Sequence, residues 1–508
     1  MRKLLLASAA MLGATSGIAT AQAPQPATAS MMMQPTQGQF ALPWAQGPTV
    51  NNNNNTLQTT GFPDGYKGAS RFSSNAVPSP GTVVIRLNGR VEVDMGAAWS
   101  TNHQVPGFKT NPITFSAYMR LYPGIDGMAT NGLRYGAAVE LRNTAPGAVG
   151  SGAAPNALGA AAPNPSTNNL NQTVYVRRAF TYLAHESAGI VRMGITDGLI
   201  GIWDPAIFTG SGFDGGVGSL NGAGPQAAGV NGAFGVPYVL SQAGAEYNNV
   251  KIVYLTPQFF GFDFGVQYAP SMGNGFSACA TANFACHSVT TGNDPTRWYN
   301  QVAAGGRYQG VFGPVSVGAY GVYETAGKES FFGAPSNNGF GALGTRYDNL
   351  SFVSAGTYLN YASPIGAFSA GVTYIGGAVN GQVTMRPTGG ATQHQFVGGI
   401  GYRNGPIALG VQANIIDSQG AAALTGVSQR HEFTISTGGS YTLAPGVVVF
   451  AEYYYSQRHQ GGFDFVTGAL GAGATGTPGS TTGATRWKAG KTGDAHGQAI
   501  VIGTAVSW

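Results

Sequence analysis

The residues that could support catalysis do not form a complete catalytic pattern in this sequence. Gly210–Gly215 and Gly471–Gly476 both spell G-x-G-x-x-G, but neither begins a helix after a strand, as a phosphate-binding turn requires. His185–Glu186 and His431–Glu432 lack the second histidine, four residues after the first, that a helical zinc site needs. No G-x-S-x-G nucleophile motif occurs either. We therefore expect no enzyme, no catalytic residue, no cofactor and no metal site.

The charged residues follow a different pattern, in which they alternate with apolar ones. Between Val83 and Trp99 the odd positions are apolar or small, and the charged residues stand at even positions, namely Arg86, Arg90, Glu92 and Asp94. Two later segments repeat this alternation, and their charged residues are Arg120, Arg134, Glu140 and Arg142. Since successive side chains of a β-strand point to opposite faces, we predict strands with one apolar and one charged face. The alternation leaves open whether the apolar face packs in a soluble core or faces lipid.

The composition favours the lipid-facing alternative. Charged residues make up only 9% of the chain, whereas a soluble surface normally carries many charges of both signs. Glycine accounts for 80 of 508 residues, which argues against long helices. The net charge of +5 falls to +3 without Arg2 and Lys3, too little for a nucleic-acid-binding protein. We therefore expect no nucleic-acid partner.

The N-terminus has the features of an export signal. Arg2 and Lys3 precede an apolar stretch that begins at Leu4, and Ala19–Ala21 fits a cleavage site ahead of Gln22. Residues 1–21 are therefore predicted to be a cleaved signal peptide. No other apolar run is long enough for a transmembrane helix. An exported chain of this kind can be embedded in a membrane only as a β-barrel.

Two further features fit an exported protein. Residues 22–80 are of low complexity, rich in Pro, Gln, Asn, Met and Ala, and are predicted to form a periplasmic leader, with a small ordered plug as the alternative. Cys279 and Cys286 most simply form one disulfide in an oxidising compartment. His287 alone does not complete a metal site beside them.

Residues 81–508 are predicted to be all-β, with about sixteen strands. The strand-like segments are 82–100, 112–122, 132–143, 173–184, 189–195, 243–256, 259–269, 297–309, 311–324, 349–362, 366–376, 393–403, 406–416, 430–443, 446–457 and 495–508. Short turns alternate with long segments, which are 144–172, 196–242, 270–296, 325–348, 377–392, 417–429 and 458–494. An even number of antiparallel strands with short turns at one end and long loops at the other is the plan of a bacterial outer-membrane barrel. The chain also ends on Trp508, an aromatic residue that suits a membrane interface.

These motifs together resemble the general diffusion porins of Gram-negative bacteria. "LNGRVEVDMGAAW" is similar to the first strand of that family, "YMRLYPG" and "GLRYGAAVELRN" to its second and third, and "VRRAFTYL" with "AGIVRMGITDG" to the strands before its third loop. "YLTPQFFGFDFGVQY" is similar to the hairpin after that loop. Trp508 stands where the family usually ends on Phe, and it is expected to act as an assembly signal. The resemblance implies a transmembrane antiparallel up-and-down barrel of sixteen strands, a homotrimer, and an inward-folded third loop, here residues 196–242.

The resemblance also implies a constriction between basic wall residues and acidic loop residues. The matching positions are Arg90, Arg120 and Arg177 on the wall and Asp197, Asp204 and Asp214 on the third loop. The loop has "DPAIFTG" where some members carry a Pro-Glu-Phe-Gly-Gly motif, and Ile195 replaces an arginine of some members. The constriction is therefore expected to be less charged than usual. Arg178 follows Arg177 directly, and neighbouring residues of a regular strand cannot both face the barrel interior. We therefore expect Arg178 at a subunit contact or a strand end.

The predicted function is that of an outer-membrane porin, a water-filled channel for passive diffusion of small hydrophilic solutes and ions. Its expected surroundings are outer-membrane lipid and lipopolysaccharide. Eight charged residues are expected to line the lumen, five basic and three acidic, which favours a weak preference for anions. A substrate-selective channel for sugars or anions is the main alternative, and a barrel without a transport function is the other.

Overall fold

Sixteen antiparallel strands with alternating apolar and polar faces close into one barrel. They are β1 (Thr82–Ser100), β2 (Ile113–Met128), β3 (Arg134–Asn143), β4 (Val174–His185), β5 (Gly189–Ile195), β6 (Val250–Leu255), β7 (Phe262–Ser271), β8 (Tyr299–Phe312), β9 (Val315–Gly327), β10 (Leu350–Ser363), β11 (Gly366–Ala378), β12 (Gln393–Asn404), β13 (Ile407–Ser418), β14 (Arg430–Ala444), β15 (Val447–His459) and β16 (Asp494–Ser507). The structure is a computed structural model, and it describes residues 79–100, 113–143, 174–185, 187–203, 249–257, 259–271, 288–289, 298–328, 330–331, 347–381, 385–420, 426–444, 446–463 and 493–508. Each predicted strand segment overlaps one of these strands, so the predicted all-β barrel is confirmed.

The barrel closes where β1 pairs with β16. Arg90 lies opposite Ser507, and beyond this pair the Trp508 N–H donates to the Gly89 carbonyl oxygen at 3.1 Å. The Gly89 N–H donates to the Trp508 carbonyl oxygen in return, at 3.2 Å. A Cβ atom on Gly89 would overlap the Trp508 indole. Glycine at this position therefore lets the terminal ring cover the outer face of β1 at the seam.

The alternation in β1 separates the outside of the barrel from the inside. Ile85 and Leu87 are 78% and 64% exposed on the outer face. Arg90, Glu92 and Asp94 are buried on the inner face. The apolar face therefore points outward and the charged face inward, which resolves the choice that the sequence pattern left open.

The connections are segregated by length, as the sequence predicts. The turns after the even-numbered strands contain two to six residues, whereas the connections after the odd-numbered strands contain eleven or more. The third long connection begins with a short helix, α1 (Leu199–Trp203). Ser288–Val289 and Ser330–Phe331, from the two following long connections, pair as a small parallel sheet. Among the described residues no helix is long and apolar enough to cross a membrane.

A cluster of buried apolar side chains lies on the inner face between β2 and β12 and includes α1. Trp203 of α1, Val253 of β6 and Phe352 of β10 are at most 2% exposed. The sequence analysis did not predict an apolar interior. The inner face is therefore part apolar and part charged, and α1 packs where the wall is apolar.

Three predictions lie outside the described residues. They are the signal peptide at 1–21, almost all of the leader at 22–80, and the disulfide between Cys279 and Cys286. They remain predictions from the sequence.

Candidate functional site

Three arginines lie side by side on β1, β2 and β3. The strand register places Arg90 opposite Arg120, and Arg120 opposite Arg142. Arg90 and Arg120 are buried on the inner face, while for Arg142 the strand position is described but the side chain is not. Glu92, on the same face of β1, forms an ion pair with Arg90. The structure thus places two of the predicted wall arginines, Arg90 and Arg120, next to each other in the register, with a carboxylate beside Arg90.

Arg178 also belongs to the inner face, so its predicted place at a subunit contact or strand end is wrong. The pairing of β3 with β4 shifts register between Glu140 and Leu141. Glu140 lies opposite Arg178, and Leu141 lies opposite Val176. Arg177 therefore has no partner in the register. Such a bulge reverses which residues face inward. Arg178 forms ion pairs with Glu140 (Nη1 to Oε2, 3.0 Å) and with Asp197 (Nη2 to Oδ1, 2.8 Å).

The described start of the third long connection, Thr196–Trp203, lies against the inner wall. Asp197 is fully buried and is paired with Arg178 of β4. The Leu199 N–H donates to Gln267 Oε1 of β7 at 2.6 Å. Gly265 of β7 leaves room for this helix, since a Cβ atom there would meet the Leu199 and Trp203 side chains. The first turn of the connection is therefore attached to the wall on two sides by polar contacts.

The rest of that connection, 204–248, lies outside the described residues. Asp204 and Asp214 belong to it. Their predicted place at the constriction, and the inward fold of the whole loop, therefore remain predictions.

A second polar cluster lies near the short-turn end of β2, β3 and β4. Arg134 Nη2 lies 2.7 Å from Asp126 Oδ2, and the Tyr182 hydroxyl donates to the other oxygen of the same carboxylate. Arg134 was among the predicted lining residues, whereas Asp126 was not. Both carboxylate oxygens are thus satisfied inside the barrel.

The inner face also contains charged residues that the sequence analysis missed. Arg307 of β8 donates two hydrogen bonds to Asp263 of β7, at 2.9 and 2.6 Å. Gln301 Nε2 donates to Glu324 Oε1 at 2.5 Å, and the Arg192 guanidinium lies 5.7 Å from the centre of the Phe180 ring. The signal was present in the sequence, because segments such as "FDFGVQY" alternate in the same way as β1.

The missed residues change the charge balance of the interior. Buried charged residues among those described comprise nine carboxylates and six cations: Glu92, Asp94, Asp126, Glu140, Asp197, Asp263, Glu324, Glu432 and Glu452, with Arg90, Arg120, Arg178, Arg192, Lys251 and Arg307. Three more arginines, Arg134, Arg430 and Arg458, are directed inward and are partly exposed, so the later strands add charges of both signs to the inner face.

Uncharged polar side chains line the inner face of β12 to β14. Gln393 Nε2 donates to Gln395 Oε1 at 3.2 Å, and Gln395 Nε2 donates to Asn414 Oδ1 at 3.1 Å. Gln412 and Ser436 are opposite each other in the register of β13 and β14, and Gln412 Oε1 and Ser436 Oγ have no hydrogen-bond partner among the described residues. This part of the wall offers hydrogen bonds without a formal charge.

Three predicted lining residues have described strand positions but undescribed side chains, namely Arg86 in β1, Arg142 in β3 and Arg177 in β4. Within the described ranges, no group of three or more His, Cys, Asp or Glu residues is arranged to hold a metal ion. The structure therefore presents a barrel whose inner wall carries paired charges, amides and an attached third connection.

The family model for Gram-negative porins matches residues 7–461 of this chain. The chain therefore belongs to the Gram-negative porin family, and it is an outer-membrane porin, a barrel-shaped channel. No curated protein matches the chain.

The solved structures to which the chain is similar come from several bacteria. The chain is similar to an anion-selective porin from Comamonas acidovorans, with 13% identity, coverage of 84% of this chain and 100% of that chain, and a TM-score of 0.45. It is also similar to outer-membrane-expressed OmpT of Vibrio cholerae, with 11% identity, coverage of 85% and 100%, and a TM-score of 0.43. A mutant of Rh. blastica porin shows 11% identity, coverage of 84% and 100%, and a TM-score of 0.41.

Proposed function

We propose that this porin conducts small hydrophilic solutes and ions by passive diffusion through the barrel interior. The observation that carries the proposal is the separation of faces in β1, where exposed apolar residues alternate with buried Arg90, Glu92 and Asp94. An apolar outer face suits lipid, and charges on the inner face suit water. A barrel of sixteen strands is wide enough to hold an aqueous lumen. No step of this function requires catalysis, and we propose that the protein is not an enzyme.

The proposed lining combines the predicted positions with the missed ones. It consists of Arg86, Arg90, Glu92, Asp94, Arg120, Arg134, Glu140, Arg142, Arg177 and Asp197, together with Arg178, Arg192, Lys251, Asp263, Arg307 and Glu324. Asp204 and Asp214 are proposed to join it from the third connection. Fixed charges of both signs hold ordered water, and an apolar solute cannot replace that water, so the lining selects for polarity.

We propose that the channel distinguishes little between anions and cations. The proposed lining contains ten basic and eight acidic residues, so the excess of basic residues that favoured anions in the first three strands becomes proportionally smaller around the barrel. Several of these charges are also paired with each other, as in Arg307 with Asp263 and Arg178 with Glu140. Pairing reduces the field that a passing ion experiences.

A second candidate function is a channel with a preference for uncharged sugars. The amides and hydroxyls on β12 to β14 favour it, since Gln393, Gln395 and Asn414 make this part of the inner wall polar without a formal charge. Hydroxylated solutes both donate and accept hydrogen bonds and match such a wall. Saturable block of the ion current by a sugar would distinguish this candidate from a general diffusion pore.

The assembly and export of the protein are part of the proposal. We propose a homotrimer, as in the general diffusion porins that the sequence resembles, inserted among outer-membrane lipid and lipopolysaccharide. The signal peptide at 1–21 is proposed to be removed during export, and Trp508, at the seam of the barrel, to serve in assembly.

Planar-bilayer recording of the refolded protein tests the proposal. A general diffusion porin gives large ohmic steps in groups of three and a reversal potential near zero in a gradient of potassium chloride. Saturable block by one class of solute would instead support the selective channel. Correctly folded protein that carries no current would contradict both.

A further inference from the structure

Four of the five histidines among the described residues lie together on the outer face of the barrel. They stand on β12, β14, β15 and β16 at the rim that carries the long connections, and the fifth, His185, lies at the opposite rim. Two aspartates on β13 and β16 lie among them. We call this group the histidine belt, and its members are His394, Asp417, His431, His459, Asp494 and His496.

The strand register makes most of the belt one continuous row. His394 lies opposite Asp417, Asp417 opposite His431, His431 opposite His459, and His459 opposite Asp494. The row therefore crosses five adjacent strands in the hydrogen-bonding direction of the sheet. His496 lies two residues from Asp494 on the same strand face and opposite Gln457.

Each histidine of the belt uses one ring nitrogen for a polar contact. His431 Nδ1 lies 2.6 Å from Asp417 Oδ1, and His459 Nδ1 lies 2.6 Å from Asp494 Oδ1. His394 Nδ1 lies 2.9 Å from the Tyr374 hydroxyl. His431 and His459 keep more than half of their side chains exposed, so the imidazoles are accessible from outside the barrel. The fourth contact joins His496 Nδ1 to the Tyr455 hydroxyl at 3.2 Å.

The belt borders the apolar outer surface. Phe396 and Ile415, two residues nearer the middle of their strands, are 48% and 47% exposed on the same face. An exposed apolar band ends where the membrane headgroups begin, so the belt lies at headgroup height. The nearby arginines are directed inward, since Arg430 donates to Gln460 and Arg458 donates to Glu432, and both acceptors are buried. Histidine is therefore the source of outward positive charge on the described parts of β12 to β16.

The two charge states of imidazole give the belt opposite net charges. Among side-chain types, imidazole is the one whose charge ordinarily changes near physiological pH. The polar groups that contact these imidazoles are Asp417, Asp494, Tyr374 and Tyr455. The charged groups nearby on the inner face of the same wall are Glu432, Arg430 and Arg458. With four neutral imidazoles the two aspartates make the belt negative, and with four protonated ones the belt becomes positive.

We propose that the histidine belt binds the phosphate of anionic lipid headgroups in mildly acidic surroundings and releases it above neutral pH. Charge complementarity identifies the occupant, because exposed imidazolium groups at headgroup height match phosphate oxygens and repel cationic groups. The inference requires that the barrel spans the outer membrane with its long connections outward. It does not depend on which solutes the channel conducts.

Lipid selectivity measured by electron paramagnetic resonance tests this proposal. The full-length protein is reconstituted in phosphatidylcholine, and the immobilised fraction of spin-labelled phosphatidylglycerol is compared with that of spin-labelled phosphatidylcholine at pH 8 and pH 5. We expect the selectivity for phosphatidylglycerol to rise about fivefold on acidification. The variant carrying His394→Gln, His431→Gln, His459→Gln and His496→Gln should show no rise, and the matched control His185→Gln should show the full rise.

Other results would overturn the proposal. Selectivity that does not change with pH in the wild-type protein, or that rises equally in the fourfold variant, contradicts it. A pH-dependent change in oligomer mass without any change in lipid selectivity would instead assign the belt to a contact between subunits. Single-channel conductance of the fourfold variant, expected to equal that of the wild type, shows that the barrel has folded and separates failure here from failure of the transport proposal.

Discussion

Removing the Arg178 guanidinium should release the start of the third connection from the barrel wall. Arg178 is paired with Glu140 at 3.0 Å and with Asp197 at 2.8 Å, and both carboxylates are at most 1% exposed. In the variant Arg178→Met both buried carboxylates lose this cation. Removing one partner of a buried ion pair costs about 3–5 kcal/mol. At about 1.4 kcal/mol for each factor of ten, the ratio of attached to released connection should fall by about 100-fold or more.

Single-channel recording is the assay for this effect, and Arg307→Met is its matched control. The Arg307–Asp263 pair is equally buried, but it joins two wall strands, β7 and β8. Both variants remove one positive charge from the inner face, and only Arg178→Met should release the connection. We therefore expect frequent brief closures and a noisier open current in Arg178→Met, and a steady current in Arg307→Met.

A double variant measures how strongly Arg178 and Asp197 are coupled. The double variant Arg178→Met with Asp197→Asn should lose less unfolding free energy than the two single variants lose in sum. The difference should be at least about 1 kcal/mol. The reasoning is refuted if Arg178→Met conducts as steadily as the wild type, or if both methionine variants become equally noisy.

Two other predictions follow from the seam and from the faces of β1. Gly89→Val should displace the Trp508 indole and lower the free energy of unfolding by about 1–3 kcal/mol. The folded fraction should therefore fall, which is measured as the amount of heat-modifiable protein in electrophoresis. Trp508→Phe should fold normally, and equal folding of wild type and Gly89→Val would count against the seam contact. On β1, Asp94→Asn should shift the reversal potential in a salt gradient toward anions, because it removes an inner carboxylate. The Val93 side chain is 47% exposed on the outer face, so Val93→Asn should leave the reversal potential unchanged and reduce membrane insertion. A shift of equal size in both variants would contradict the assignment of faces.

The barrel itself could be predicted from the sequence because its physical cause is local. The two-residue period in β1 and the alternation of connection lengths are both visible without distant contacts. For the same reason the inward direction of Arg90 and Glu92 could be inferred once the apolar face was assigned to lipid. Trp508 was expected at a membrane interface, and its place at the seam comes from the pairing of β1 with β16.

What the sequence did not show depends on non-local pairing. The bulge opposite Glu140 has no marker such as a glycine, so the alternation in "VRRAF" placed Arg178 on the wrong face. The apolar interior around α1 was missed because "LIGIW" is too short to carry a helical period, and its burial depends on β7 to β9. The ion pair of Asp263 with Arg307 joins residues 44 positions apart, and only the strand register brings them together.

The central claim, that the polar face of each strand lines water while the apolar face meets lipid, is tested most directly by thiol accessibility on β10. Asn360 lies on the inner face, and its neighbour Leu359 is 43% exposed on the outer face. In a background with Cys279→Ser and Cys286→Ser, a water-soluble charged thiol reagent should alter the conductance of Asn360→Cys channels and leave Leu359→Cys channels unchanged. Modification of Leu359→Cys that changes the current, while Asn360→Cys stays inert, would contradict this account.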